Sequence, residues 1–198
     1  MEREVMWIPW EGPGLEHLRL RQDEDGILAD GIVIGLDGGR PFRLGYRVRC
    51  DAGWRAIEVT VSLLSPRDVE LALVSDGQGR WATPDGQGVS AIQGTIDVDI
   101  SATPFTNTLP IRRLGLGPGQ SAELSVAYIA VPELRLETVR QRYTCLESRP
   151  DGGRYRYESP ARGFTAELVV DRDGLVVDYP SRFRRVWPGL SEQPPAGG

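Results

Sequence analysis

Apolar and polar residues alternate with a period of two along most of this chain. In R-L-G-Y-R-V-R-C, residues 43–50, Leu44, Tyr46, Val48 and Cys50 fall on one face and Arg43, Arg47 and Arg49 on the other. In I-E-V-T-V-S-L, residues 57–63, Ile57, Val59, Val61 and Leu63 oppose Glu58, Thr60 and Ser62. That alternation is what a strand with one buried face requires. The same reading predicts strands over 68–75, 94–101, 121–131, 134–147, 153–158, 164–171 and 174–179, with G-L-E-H-L-R-L-R adding one near the start. Helical periodicity is confined to short stretches around 106–114 and after Pro180.

Turn signals separate these runs: D-E-D-G at 23, D-G-G at 37, D-A-G at 51, S-P-R-D at 65 and S-D-G-Q-G at 75, then P-D-G at 84, G-P-G at 117, P-D-G-G at 150, S-P-A-R-G at 159 and R-D-G at 172. Asp supplies a local side-chain hydrogen bond and Gly a positive φ, the two needs of a tight turn. Many antiparallel strands at short spacing predict an all-β fold, a long antiparallel sheet rolled into an incomplete barrel or spiral β-roll. Such a sheet must curl, because long flat sheets leave sticky edges. Residues 1–188 are expected to form a single domain, with 189–198, ending S-E-Q-P-P-A-G-G, as a disordered tail.

A weak internal echo exists. D-G-G-R at 37–40 recurs at 151–154; Y-R-V-R and G-W-R-A follow the first, Y-R-Y-E and G-F-T-A the second. An internal duplication with halves near 15–115 and 120–188 would account for it, given a deletion in the second half. Chance reuse of Asp-Gly turns among hairpins accounts for it more simply.

Composition narrows function without fixing it. The chain has 198 residues, 40% hydrophobic and 26% charged, and a net charge of -5. This is a soluble, globular balance, and the negative charge argues against a nucleic-acid partner. All 23 basic residues are arginine. The two cysteines, Cys50 and Cys145, sit inside strand-like runs without Cys-x-x-Cys spacing, so buried free thiols are expected. No apolar run is long enough for a transmembrane segment or a secretory core, which reads as cytoplasmic.

Candidate chemistry centres on I-D-V-D-I-S-A-T-P-F-T-N-T-L-P-I-R-R-L, residues 96–114. Asp97 and Asp99 lie two apart on a strand, roughly 7 Å from each other by strand rise. That separation could serve a cation or an acid/base pair. No third acidic ligand or flanking motif supports a metal site, and Arg112 or Arg113 can neutralise the pair, so a structural role is favoured. His17, the sole histidine, shares a face with Arg19 and Arg21 and has no nucleophile motif beside it. No metal or cofactor is called for. Dispersed Trp and Tyr residues could line a curled sheet and receive an amphiphile, with polar groups at the rim.

Several segments together resemble a bacterial family of putative glycolipid-binding proteins. They are G-L-E-H-L-R-L, A-D-G-I-V-I-G-L, Y-R-V-R-C-D-A-G-W-R, D-G-Q-G-R-W, the 96–114 segment and D-G-L-V-V-D-Y-P with F-R-R-V-W, spanning about 5–188. The resemblance implies a spirally rolled antiparallel sheet like that of the lipoprotein-carrier (Lol) proteins and mycobacterial lipid carriers. It transfers no catalytic residues. Those carriers are exported, whereas no export signal is read here.

The expected function is non-enzymatic binding of a glycolipid or similar amphiphile in the concave face, with Asp97, Asp99, Asn107, Arg112, Arg113 and His17 as ligand-binding candidates. The alternatives are a hydrolase of a sugar or lipid ester using Asp97, Asp99 or His17 as acid/base, and a scaffold forming a homodimer through sheet edges.

Overall fold

The structure is a computed structural model that describes residues 1–64 and 69–189. The S-P-R-D turn at 65–68 and residues 190–198 of the expected tail lie outside the described residues. The strands are β1 (Glu2–Pro9), β2 (Leu15–Asp23), β3 (Gly26–Asp37), β4 (Arg40–Cys50), β5 (Ala56–Leu63), β6 (Val69–Ser75), β7 (Trp81–Ala82), β8 (Asp97–Ile100), β9 (Ser121–Ala130), β10 (Arg135–Arg149), β11 (Gly152–Ser159), β12 (Phe164–Asp171), β13 (Val176–Tyr179) and β14 (Phe183–Trp187); helix α1 spans Thr108–Leu114. The strands form one 14-stranded sheet in the order β7-β6-β5-β4-β3-β2-β1-β14-β13-β12-β11-β10-β9-β8.

The chain thus makes two meanders, β1–β7 and β9–β14, joined where the first strand pairs antiparallel with the last. Every neighbouring pair is antiparallel except β8 and β9, which run parallel. The sheet is rolled without closing into a barrel, as the alternating pattern predicts. Its two edges are β7, of two residues, and β8, of four, with Asp97, Val98 and Ile100 of β8 buried. Short, covered edges are a protection against unwanted strand pairing.

Arginine ties the seam between the meanders. The Arg185 side chain of β14 is buried, donates to Asp171 Oδ2 at 2.8 Å and bonds the carbonyls of Leu175 and Val176. Arg3 of β1 approaches the same carboxylate at 3.4 Å. Burial lowers the Arg185 pKa from its usual value, against the pull of Asp171. Trp7 Nε1 donates to Val176 O at 2.7 Å, so a β1 ring is pinned to a β13 carbonyl.

The segment between the meanders fills the concave side. Ile92, Val98, Ile100, Phe105 and Leu109 join the main apolar core with Trp7, Leu44, Val48, Trp54, Val61 and Trp81. Ile111 packs instead into a second cluster with Tyr143, Tyr157, Leu168, Val176 and Tyr179. Burying a large apolar side chain contributes about 1.5–3 kcal/mol, so this inserted segment is a structural plug as much as a connection.

Most expected strands match. Two differences have physical causes. The stretch after Pro180, expected to be helical, is a turn followed by β14, because Phe183 and Arg184 find partners on β13 and β1. Ile57 leaves the core face: the β4–β5 register shifts between Arg49 and Cys50, so Ala56 takes the buried place opposite Cys50. A bulge of this kind flips a residue out of strict alternation. Both cysteines are buried and free.

Candidate functional site at the open end of the roll

Two adjoining cavities open at one end of the strands. The larger, about 440 Å³, lies among the β1–β2 loop, the β3–β4 hairpin, Ser101–Ala102, the end of β9 and the turn before β14. Its walls include Trp7, Val33, Phe42, Ala130 and Val131, and its polar groups include Glu11, Glu16, Asp37 and Arg182. The smaller, about 220 Å³, is bounded by Asp99, Asn107, Tyr157, Ser159, Arg162, Phe164 and Tyr179. Ser101, Tyr128, Arg182 and Phe183 border both.

Aromatic packing builds the smaller cavity. Tyr157, Phe164, Tyr179 and Phe183 follow one another with ring centroids 6.1–6.2 Å apart. Two guanidinium groups lie on this wall: Arg162 stands 3.7 Å from the Tyr128 ring centroid, and Arg182 4.7 Å from that of Phe164. Burial raises the Tyr157 and Tyr179 pKa values, which keeps both as neutral hydroxyls. Aromatic faces beside carboxylate and guanidinium groups suit a ring bearing both CH and OH groups.

The 96–114 segment supplies the opposite wall and resolves its two aspartates into separate roles. Asp97 is buried and clamped by Arg113, whose Nε donates to Oδ1 at 2.9 Å and whose Nη2 donates to Oδ2 at 2.5 Å. Burial pushes the Asp97 carboxyl up, and the guanidinium opposes that push. Neither partner lines either cavity at the open end. Asp99 does line the smaller one. It accepts from Thr106 Oγ1 at 3.1 Å and Gln141 Nε2 at 2.6 Å, while burial raises its pKa above the usual value. Each of its oxygens retains a further acceptor position. Asn107 sits on the same wall, with Oδ1 accepting from Tyr143 Oη at 2.8 Å and Nδ2 donating to Pro104 O at 3.2 Å.

The other candidates lie elsewhere. Arg112 covers the Trp54 ring at 5.3 Å and borders a separate cavity near the β10–β11 hairpin, at the opposite end of the strands. His17 is on the outer face of β2, with Nε2 3.6 Å from Glu4 Oε2. The structure therefore brings Asp99 and Asn107 together and keeps Asp97, Arg112, Arg113 and His17 apart from them. No acid/base pair is assembled from Asp97, Asp99 and His17.

Glu16 is the residue the sequence reading passed over. It lies on the inward face of β2 with Leu18 and Leu20, flanked in register by Trp7 and Val33. Its Oε1 accepts two hydrogen bonds of 2.6 Å, from Tyr46 Oη and Thr103 Oγ1. Among the described residues, no group bonds its buried Oε2. Burial, against the two hydrogen bonds, raises its pKa to about 8, so the side chain is a neutral carboxylic acid near neutral pH. The signal was present in G-L-E-H-L-R-L: Glu16 is in phase with the apolar positions, and His17 is not.

The fold and these cavities define a rolled-sheet protein with a recess at its open end. The family described as "Putative glycolipid-binding" matches residues 4–185, and the chain belongs to it. A crystal structure of a DUF1089-family protein from Pseudomonas aeruginosa is similar at 40% identity, with 89% of this chain and 95% of that one covered and a TM-score of 0.79. A β-barrel-like protein of the DUF1849 family from Brucella abortus shares the fold at 10% identity, covering 93% of this chain and 95% of that one, with a TM-score of 0.53. No curated protein matches the chain. Among the described residues no helix is long and apolar enough to cross a membrane.

Proposed function

We propose that this protein binds a glycolipid or a similar amphiphile, without chemical change, at the open end of the roll. The observation that carries the reading is the pair of cavities that share Tyr128 and Phe183 as a common wall. A sugar ring would stack on the aromatic wall of the smaller cavity and meet Asp99 and Arg162. Its acyl chain would pass the shared wall and lie against Trp7, Val33, Phe42 and Val131. Apolar walls with a few placed polar groups are the usual make-up of a small-molecule site. The family description supports the same ligand class.

Native mass spectrometry with dodecyl maltoside tests this reading. A saturable adduct of one ligand per chain, formed below the critical micelle concentration, is expected. Absence of that adduct, or a graded series of adducts without saturation, would overturn it.

A further inference from the structure

We propose that Glu16 is a polar recognition point inside the larger cavity, and that the chain lodged there carries a hydroxyl group that bonds its free Oε2. The inference rests on the amphiphile-binding reading and narrows its ligand class to amphiphiles with a hydroxylated chain. A cavity that only sheltered a plain hydrocarbon would be served best by Leu or Val at this position. Instead β2 places a carboxyl between Trp7 and Val33, in phase with Leu18 and Leu20.

The surrounding structure is built to hold that carboxyl in one orientation. Tyr46 comes from β4 and Thr103 from the inserted segment, and both donate to the same oxygen. Gly31 of β3 makes room for the tyrosine: a Cβ there would lie 2.2 Å from Tyr46 Cζ. Thr103 is itself fixed, accepting from the Phe105 N–H at 3.0 Å. The result is one oxygen fully engaged and one left without a protein partner, in a residue that forms part of the cavity lining. A buried polar atom without a partner is costly to the fold, a cost that a bound hydroxyl removes.

A hydroxyl is the chemistry that fits. It can accept from the neutral acid and donate to the carboxylate, so it matches Glu16 in either protonation state. An anionic group would place charge against a desolvated carboxyl.

Matched probes test the inference: methyl dodecanoate against methyl 2-hydroxy-, 3-hydroxy- and 12-hydroxydodecanoate, by displacement of the fluorescent probe 1-aminoanthracene. At least one hydroxylated ester is expected to bind the natural sequence about tenfold more tightly than the plain ester, the worth of one well-made hydrogen bond. Glu16→Leu should erase that preference, and Glu16→Gln should retain it. The leucine variant leaves Tyr46 and Thr103 bonded to each other, since their oxygens are 3.3 Å apart. Equal affinity of the natural sequence for all four esters would mean that Oε2 holds a water only, and would overturn this inference while amphiphile binding stood. A preference that survives in Glu16→Leu would also overturn it. Failure of the natural sequence to bind any ester or dodecyl maltoside would overturn the binding reading itself.

Discussion

Tyr46 Oη donates a 2.6 Å hydrogen bond to Glu16 Oε1 across the backbone of Gly31, tying the β4 and β2 strands through a gap that only glycine leaves. The relationship explains why a strand interior keeps a residue that costs conformational entropy. Replacing Gly31 with alanine should displace the Tyr46 ring, break its bond to Glu16 and lower stability by about 1–3 kcal/mol. Urea unfolding of Gly31→Ala alone and in a Tyr46→Ala background checks this. The penalty should largely vanish in the double variant, because the ring it collides with is gone.

Glu16 also gives stability a pH dependence with a definite sign. The folded carboxyl keeps its proton up to about pH 8, whereas the ordinary value is 4.5, so the native state binds the extra proton between those limits. Its contribution is complete below the unfolded value and is lost as pH rises toward 8. Asp97 and Asp99 are shifted in the same direction. Glu16→Gln should therefore be more stable than the natural sequence at pH 7, by on the order of 3 kcal/mol, with the gap closing near pH 4.5. Denaturant unfolding at several pH values reads the difference directly.

The Asp97–Arg113 pair should matter for folding and not for ligand. Arg113→Met leaves the buried Asp97 carboxylate without its guanidinium, a loss of about 3 kcal/mol, and Asp97→Asn combined with it removes the stranded charge. The combined variant should recover part of that loss. Amphiphile affinity should stay unchanged in any variant that remains folded, since neither residue borders the open-end cavities.

Filling the larger cavity should do the reverse. Ala130, near the end of β9, lines it. Ala130→Trp is expected to lower dodecyl maltoside affinity at least about tenfold, while the melting temperature moves by only a few degrees. Native mass spectrometry and thermal unfolding on the same sample separate the two effects.

The fold was largely legible because alternation and Asp-Gly turns are local signals. Leu44, Tyr46, Val48 and Cys50 are all buried in β4, as their phase requires. The β1–β14 seam was not legible: it depends on pairing the two ends of the sheet, and Arg185 with Asp171 gives no local sign of it. Within the site, the 96–114 segment pointed to Asp99 and Asn107, and to an arginine that neutralises Asp97. It could not divide the aspartates, because their fates are set by Arg113 on one side and by Gln141, from a distant strand, on the other. Arg162, Arg182 and Tyr128 meet only through the roll. Glu16 was readable from its phase alone, yet the charges of His17, Arg19 and Arg21 beside it draw the eye to the wrong face.

The most direct test of the account is a titration of dodecyl maltoside followed by methyl resonances. Ala130, Val33 and Val131 line the larger cavity, whereas Ile32 of β3 and Val74 of β6 are exposed and border neither open-end cavity. Below the critical micelle concentration, the account predicts saturable shifts at Ala130, Val33 and Val131, with Ile32 and Val74 unmoved. Shifts confined to Ile32 and Val74, or none at any of these methyls, would contradict it.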